Sequence, residues 1–344
     1  MQMRTLGTTG ITVSHFCLGT MTFGPWGNQD RDECVRMIHS ALDGGINFVD
    51  TADIYGGSES ERIVGEALKG GRRDGVVLAT KFHARMGDDP NRAGNSRRWV
   101  LRACEESLRR LGTDWIDLYQ AHRPDPSTDV DETLGALSDL IHQGKVRAIG
   151  SSTFPAHQIV EAQWVSERRH RERFVCEQPP YSILARGAEA DVLPVCQRYG
   201  MGVLAWSPLA GGWLTGKYRR GEDPPPGSRM TRARIPDRFD LEKVENQMKL
   251  DAVEELRGVA GEAGTSLSHM ALAWVTQHPA VTSAIVGART PEQLDDLLAG
   301  QDLTLGADVL DRIDEVVPPG VTLNPADAGY TAPALADPSL RRRA

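Results

Sequence analysis

The 344-residue chain is poor in cysteine, and none of its five cysteines forms a Cys-x-x-Cys pair or sits beside histidines at metal-ligand spacing. That pattern points away from a zinc site and reads as buried thiols in a reducing compartment. Residues 1–10 lack an apolar segment of the secretory type, and no apolar run reaches membrane-spanning length, so a cytoplasmic location away from membranes is expected. Positive charge is in deficit: 39 Lys and Arg against 47 Asp and Glu give a net charge of -8 and a pI near 5.6. This balance argues against a nucleic-acid partner, and the short run Arg341-Arg342-Arg343 does not reverse it. The hydrophobic share of 40% is ordinary and leaves room for a large core.

A Gly-x-Gly-x-x-Gly turn after the first strand is also missing, since that strand leads into Gly19-Thr20-Met21-Thr22-Phe23-Gly24. A doubly wound dinucleotide-binding sheet is therefore the weaker reading. Eight β-prone runs are present, at 15–20, 47–52, 76–81, 116–122, 146–151, 174–178, 202–207 and 282–287. Helical periodicity fills intervals such as 32–43, 96–111 and 130–143, the last stopped by Gly144. Eight strand-then-helix units predict an α/β fold, the (β/α)8 TIM barrel, whose working residues lie in the loops after the strands. Gly7 and Gly10 within 5–13 predict an amino-terminal β-hairpin. The expected layout is one domain over 1–344, with the barrel over about 15–300 and an added helix and irregular tail over 301–344. A long irregular loop over 210–240, containing Pro224-Pro225-Pro226, follows the seventh strand and has the length of a functional cover.

The chemistry gathers at strand exits. One run ends in Asp50-Thr51-Ala52-Asp53-Ile54-Tyr55-Gly56, another at Lys81 and a third at His122. Singly, these residues read as a cap, a loop aromatic, a solvated lysine and an ordinary histidine. Together they can supply a proton. A phenol with a pKa near ~10 needs a cationic neighbour to release one, Lys81 can be that neighbour, and Asp50 can keep the lysine charged. His122 can then orient a carbonyl by hydrogen bonding.

This set, carried in Asp-Thr-Ala-Asp-Ile-Tyr-Gly, Leu-Ala-Thr-Lys and Leu-Tyr-Gln-Ala-His-Arg-Pro-Asp, resembles the aldo-keto reductase family, in particular its bacterial and potassium-channel β-subunit-like branch. The resemblance runs from the hairpin to about Leu298. It implies a barrel that holds an extended NADPH without a Rossmann domain, Tyr55 as general acid, Asp50 and Lys81 as its tuning pair, and His122 as the carbonyl-orienting group. It further implies cofactor contacts from Gly19, Thr20, Met21 and Asp50, and from Ser151, Ser152 and Gln178 around the nicotinamide carboxamide. Thr153 stands where the family has Asn.

Trp206-Ser207-Pro208-Leu209 is similar to the family's aromatic-Ser-Pro-Leu segment, with Trp206 stacking on the nicotinamide and Ser207 reaching the pyrophosphate. Residues 211–218 match a Walker A loop only until Tyr218, which takes the place of the Mg²⁺-binding hydroxyl. The resemblance instead gives Gly212 and Lys217 to a loop over the pyrophosphate. Gly287, Arg289, Gln293 and Asp296 fall in the adenosine-phosphate segment, and an arginine fork there favours NADPH over NADH.

The expected activity is reduction of an aldehyde or ketone. The alternative is an NADPH-binding, redox-responsive regulatory subunit with little turnover. Phe23, Trp26, Phe82 and Trp213 either line a substrate pocket or pack loops. The tail segment over 324–330 resembles that of actinobacterial reductases acting on keto-sugars or complex natural-product aldehydes. The expected partner is a small carbonyl substrate, with self-association into a homo-oligomer left open.

Overall fold

A computed structural model describes residues 1–232 and 236–343. The predicted hairpin is present: β1 (Met3–Thr5) and β2 (Thr12–Ser14) pair antiparallel. Its turn requires glycine at Gly7, where φ is +55° and a Cβ would lie 2.6 Å from the Gly200 carbonyl oxygen.

The eight predicted strands close a parallel barrel. They are β3 (Phe16–Gly19), β4 (Phe48–Asp50), β5 (Val77–Phe82), β6 (Ile116–Ala121), β7 (Val146–Ser152), β8 (Cys176–Gln178), β9 (Gly202–Ala205) and β10 (Ser283–Val286), with β10 returning to β3. Several are shorter than their apolar runs. After Asp50 the chain leaves regular pairing for a tight turn over Tyr55–Ser58, which is how Tyr55 is brought back over the barrel mouth.

Helices α1 (Arg31–Asp43), α2 (Glu59–Ala67), α3 (Arg97–Leu111), α4 (Val130–His142), α5 (Ala156–Arg169), α6 (Val192–Arg198), α7 (Val244–Glu262), α8 (Leu267–Gln277), α9 (Pro291–Ala299) and α10 (Ala307–Val316) are introduced by, or follow, this strand order. Their ends follow local chemistry. The Asp30 side chain accepts from the Glu33 amide at the start of α1, Ser96 does the same for Trp99 in α3, and Gly112 ends α3 at a φ of +63°. No helix among the described residues is long and apolar enough to cross a membrane.

The barrel interior is layered. Cys17, Phe48, Ala79, Leu118, Ala148, Cys176 and Leu204 form one apolar cluster, closed from the amino-terminal end by Leu6 and Val13 of the hairpin. Strand side chains alternate with a period of two, so the next inward positions are Gly19, Asp50, Lys81, Gln120, Gly150, Gln178 and Trp206. An apolar floor thus supports a polar layer at the carboxyl ends of the strands, where barrels of this type carry their chemistry.

Candidate active site

Lys81, fully buried, is the hub of that layer. Its Nζ donates to Asp50 Oδ1 at 2.5 Å, to the Thr51 carbonyl oxygen at 2.8 Å and to Tyr55 Oη at 3.3 Å. Asp50 Oδ2 accepts from Gln178 Nε2 at 3.0 Å and from Gln120 Nε2 at 3.4 Å. Such a buried pair is tolerable because its remaining donors and acceptors are also satisfied. Burial alone would lower the Lys81 pKa, but Asp50 and Tyr55 more than offset it and hold the ammonium charged. Burial pushes the Tyr55 phenol up, with Lys81 pulling against it, so the phenol keeps its proton at neutral pH. His122 is driven well below its ordinary value by burial and then by the charges of Lys81, Arg123 and His83. It is a neutral imidazole lying edge-on to the Tyr55 ring at 5.7 Å. On another side Trp26 tilts toward Tyr55 at 6.1 Å.

Beside this centre lies a half-buried aromatic platform, Trp206, whose Nε1 donates to Thr153 Oγ1 at 3.3 Å. Ser207, the next residue, has a φ of +60°, and its Oγ is buried with no hydrogen-bond partner. An orphaned hydroxyl on a strained turn suits an exogenous acceptor or donor. Farther along, Lys217, Arg229 and Arg289 form a cationic cluster. Burial lowers the Lys217 pKa first, and the nearby Arg289 and Arg229 charges lower it further. None of the three has a carboxylate partner among the described residues. Arg289 Nη1 instead donates to the Gly227 carbonyl oxygen at 2.6 Å.

A fully parallel barrel with Asp, Tyr, Lys and His gathered at one mouth is matched along the sequence by a family model, that of the aldo/keto reductase family, over residues 15–318. The chain belongs to the aldo/keto reductase family. Among its curated relatives, the uncharacterized oxidoreductase YrpG of Bacillus subtilis is 40% identical over 329 residues, 92% of this chain and 96% of the relative. The aldo-keto reductase YhdN of the same organism is 33% identical, covering 97% of this chain and 98% of its own length. A probable voltage-gated potassium channel subunit beta of Oryza sativa is 35% identical, covering 92% and 97% respectively. The chain is thus an oxidoreductase of the nicotinamide-dependent aldo/keto reductase type.

The reductase fold brings some of the expected cofactor residues to one face and commits others internally. Gly19 and Met21 lie at the exit of β3, but the Thr20 hydroxyl is taken up by the Asp50 carbonyl oxygen and Ser60. Ser152 Oγ donates to the Gln178 carbonyl oxygen at 3.0 Å, and Ser151 Oγ to the buried Glu177 at 2.5 Å. Pro208 and Leu209 continue the Trp206 turn, and Gly212, at a φ of +101°, lies against the Lys217 ammonium. Gly287 is exposed, and Gln293 Oε1 accepts from the Arg289 amide at 2.9 Å. Asp296 faces His269 of α8, 3.3 Å from its Nε2. Leu297 is a core residue of α9.

Of the four aromatics left between pocket lining and packing, three pack. Phe23, Phe82 and Trp213 are fully buried. Because Lys81 points into the barrel, Phe82 must point out of it, where it meets Tyr119 at 4.9 Å. Trp213 stacks on Phe239 within the long loop. Only Trp26 stays at the site.

Four site neighbours escaped the sequence reading: Gln120, Arg123, Arg229 and Glu177. Gln120 had a signal, its two-residue spacing from Leu118 on an inward face; the arginines had none. Glu177 is fully buried, accepts from Ser151 and the Phe154 amide, and has its pKa raised to about 7 by burial. A raised carboxyl pKa stabilises the folded state fully below its unfolded value, and that contribution is lost as pH rises through about 7. Glu177→Gln should therefore gain stability over the wild type progressively between pH 5 and 8, by up to about 3 kcal/mol. Urea midpoints at the two pH values check this, and a pH-independent difference counts against it.

Proposed function

We propose that this protein reduces an aldehyde or ketone to an alcohol with NADPH, Tyr55 delivering the proton. The observation that carries the reading is the contact of Lys81 Nζ with both Asp50 and Tyr55 Oη, in a fully buried position. It provides a protonated phenol whose conjugate base would form against a fixed ammonium. His122, neutral, can donate one hydrogen bond to the substrate carbonyl oxygen but carries no acidic proton near pH 7, which leaves Tyr55 as the acid. Gln120 and Gln178 keep the Asp50 carboxylate turned toward Lys81. Bound NADPH would supply the hydride. Trp206 would support its nicotinamide, the unpaired Ser207 hydroxyl its pyrophosphate, and Lys217, Arg229 and Arg289 its phosphates. The five free, buried cysteines accord with a reducing, cytoplasmic setting.

Preference for NADPH over NADH rests on the cation cluster, because arginines and a lysine held together without carboxylates repel one another until a polyanion enters. Arg289→Ala should weaken NADPH about 10- to 100-fold while changing NADH affinity much less. Fluorescence titration with both nucleotides checks this, and equal losses for the two would place Arg289 away from the extra phosphate.

The reductase reading is tested by following NADPH oxidation against small aldehydes, ketones, keto-sugars and macrolide-type aldehydes, with identification of the alcohol formed. The last two classes enter because of the tail resemblance. The likeness to proteins named as channel β subunits supports a second reading, a redox-responsive regulatory subunit. Tight NADPH binding without turnover on any carbonyl would favour it.

A further inference from the structure

Arg123 has no assigned task, yet it follows His122 directly and stands between the reacting centre and the Trp206 platform. Its Nη1 donates to the His122 carbonyl oxygen at 2.6 Å and to Thr153 Oγ1 at 3.1 Å. The guanidinium carbon lies 5.9 Å from the Trp206 ring. These contacts fix the head group in place. They use one of its three nitrogens, leaving Nε and Nη2 of this half-buried side chain without a hydrogen-bond partner among the described residues.

The charge is also without a direct counter-ion: burial lowers the Arg123 pKa first, and only the through-space pull of Tyr55 and Glu177 works against it. No carboxylate forms an ion pair with Arg123 among the described residues. Asp125, two residues on, is turned away and accepts from the Asn95 amide, Ser127 and Thr128. Glu177 is committed to Ser151 and the Phe154 amide, and its raised pKa leaves it only partly ionised at pH 7. The Arg123 charge is felt at Tyr55, whose pKa it helps to pull down, so the guanidinium and the phenol share one electrostatic environment.

We propose that Arg123 anchors an oxyanion carried by the substrate, a carboxylate or phosphate close to the reacting carbonyl, making anionic aldehydes and ketones the preferred substrate class. This rests on the reductase reading above and adds its specificity. A planar guanidinium with one edge pinned and its remaining donors free suits a carboxylate or phosphate, and its nearness to Tyr55 and His122 limits the separation between anion and carbonyl. Trp26, on another side of Tyr55, would serve as an apolar wall for the rest of the molecule.

Matched pairs provide the test: 4-carboxybenzaldehyde against methyl 4-formylbenzoate, and glyceraldehyde 3-phosphate against glyceraldehyde. The wild type should favour the anionic member of at least one pair by roughly 10- to 100-fold in kcat/KM, chiefly through KM. The pair that responds tells carboxylate from phosphate. In Arg123→Gln that ratio should collapse toward one, and Arg123→Lys should restore part of it. Equal kcat/KM within both pairs in the wild type overturns the proposal, as does a ratio unchanged in Arg123→Gln, while the reductase reading survives either result. If neither member of any pair turns over, the reductase reading is judged on the wider carbonyl panel above. Calorimetric titration of benzoate and inorganic phosphate into the NADPH-saturated protein then decides the anion site: binding lost in Arg123→Gln supports it, and no binding to the wild type overturns it.

Discussion

Tyr55→Phe is expected to lower carbonyl reduction by about 10²- to 10⁴-fold, the range for losing a positioned general acid, while NADPH binds as it does to the wild type. The substitution removes only the hydroxyl. The ring keeps its edge-on contact with His122 and its place beside Trp26. Lys81 loses a 3.3 Å partner but retains Asp50 and the Thr51 carbonyl oxygen, so it stays charged and the layer beneath is undisturbed. The effect should therefore fall on kcat, with thermal stability changing little. His122 cannot substitute as the acid because burial and the surrounding cations keep it unprotonated. The pH profile gives a second check: alcohol oxidation, which draws on the phenolate, should rise with pH toward the alkaline limit, whereas reduction should not. Retention of more than about a tenth of wild-type reduction by Tyr55→Phe would contradict the assignment.

Asp327→Ala is expected to cost about 3–5 kcal/mol of stability at pH 7, because it leaves two buried cations without their shared counter-ion. Asp327, 2% exposed, accepts from Arg238 Nε at 2.5 Å and from Lys249 Nζ at 2.9 Å, and Lys249 is itself fully buried against the Trp213 ring. Next to it, Asn324 donates to the Asp237 carbonyl oxygen and to Asn246. The tail is thereby tied to the long loop and to α7. Two residues beyond Asp327, Gly329 lies so close to the platform that a Cβ there would be 2.7 Å from the Trp206 ring. Losing the anchor should free this segment and weaken NADPH binding as well as stability. Burial lowers the Lys249 pKa first, with Asp327 working against it; without Asp327 the lysine can shed its proton. The destabilisation should thus be smaller at pH 9 than at pH 7. Pairing the change with Lys249→Met should recover part of the loss. Urea denaturation checks all three statements, and a cost below about 1 kcal/mol would mean that the tail is not held by this cluster.

The barrel was legible because each strand is a short apolar run closed by Gly, Asp or a loop, and because α1, α3, α4, α8 and α9 each start at a capping side chain, as at Asp30 and Ser96. The clustering of Asp50, Tyr55, Lys81 and His122 was legible because these residues fall at strand exits in recognisable segments. What the chain order concealed are contacts between residues far apart in sequence. Arg238 and Asp327 are separated by 89 positions, and Arg289 and Gly227 by 62. Nothing in the composition of either segment names its partner. The choice between pocket and packing for the aromatics stayed open for a different reason: proximity to a strand end does not say whether a side chain faces the mouth or the helical layer. Phe82, one residue past an inward lysine, faces the layer. Gln120 was hidden inside a run read as apolar, although its inward register follows from Leu118 two residues before it.

The proposed reduction requires that hydrogen move from NADPH to a carbonyl carbon at the mouth of this barrel. Wild-type protein supplied with NADPH deuterated at the transferable nicotinamide position and a carbonyl substrate should give an alcohol with one deuterium on the carbinol carbon for each NADPH consumed, with Tyr55→Phe giving almost none in the same time. NADPH that binds but is not consumed with any carbonyl, or an alcohol formed without the label, would contradict it.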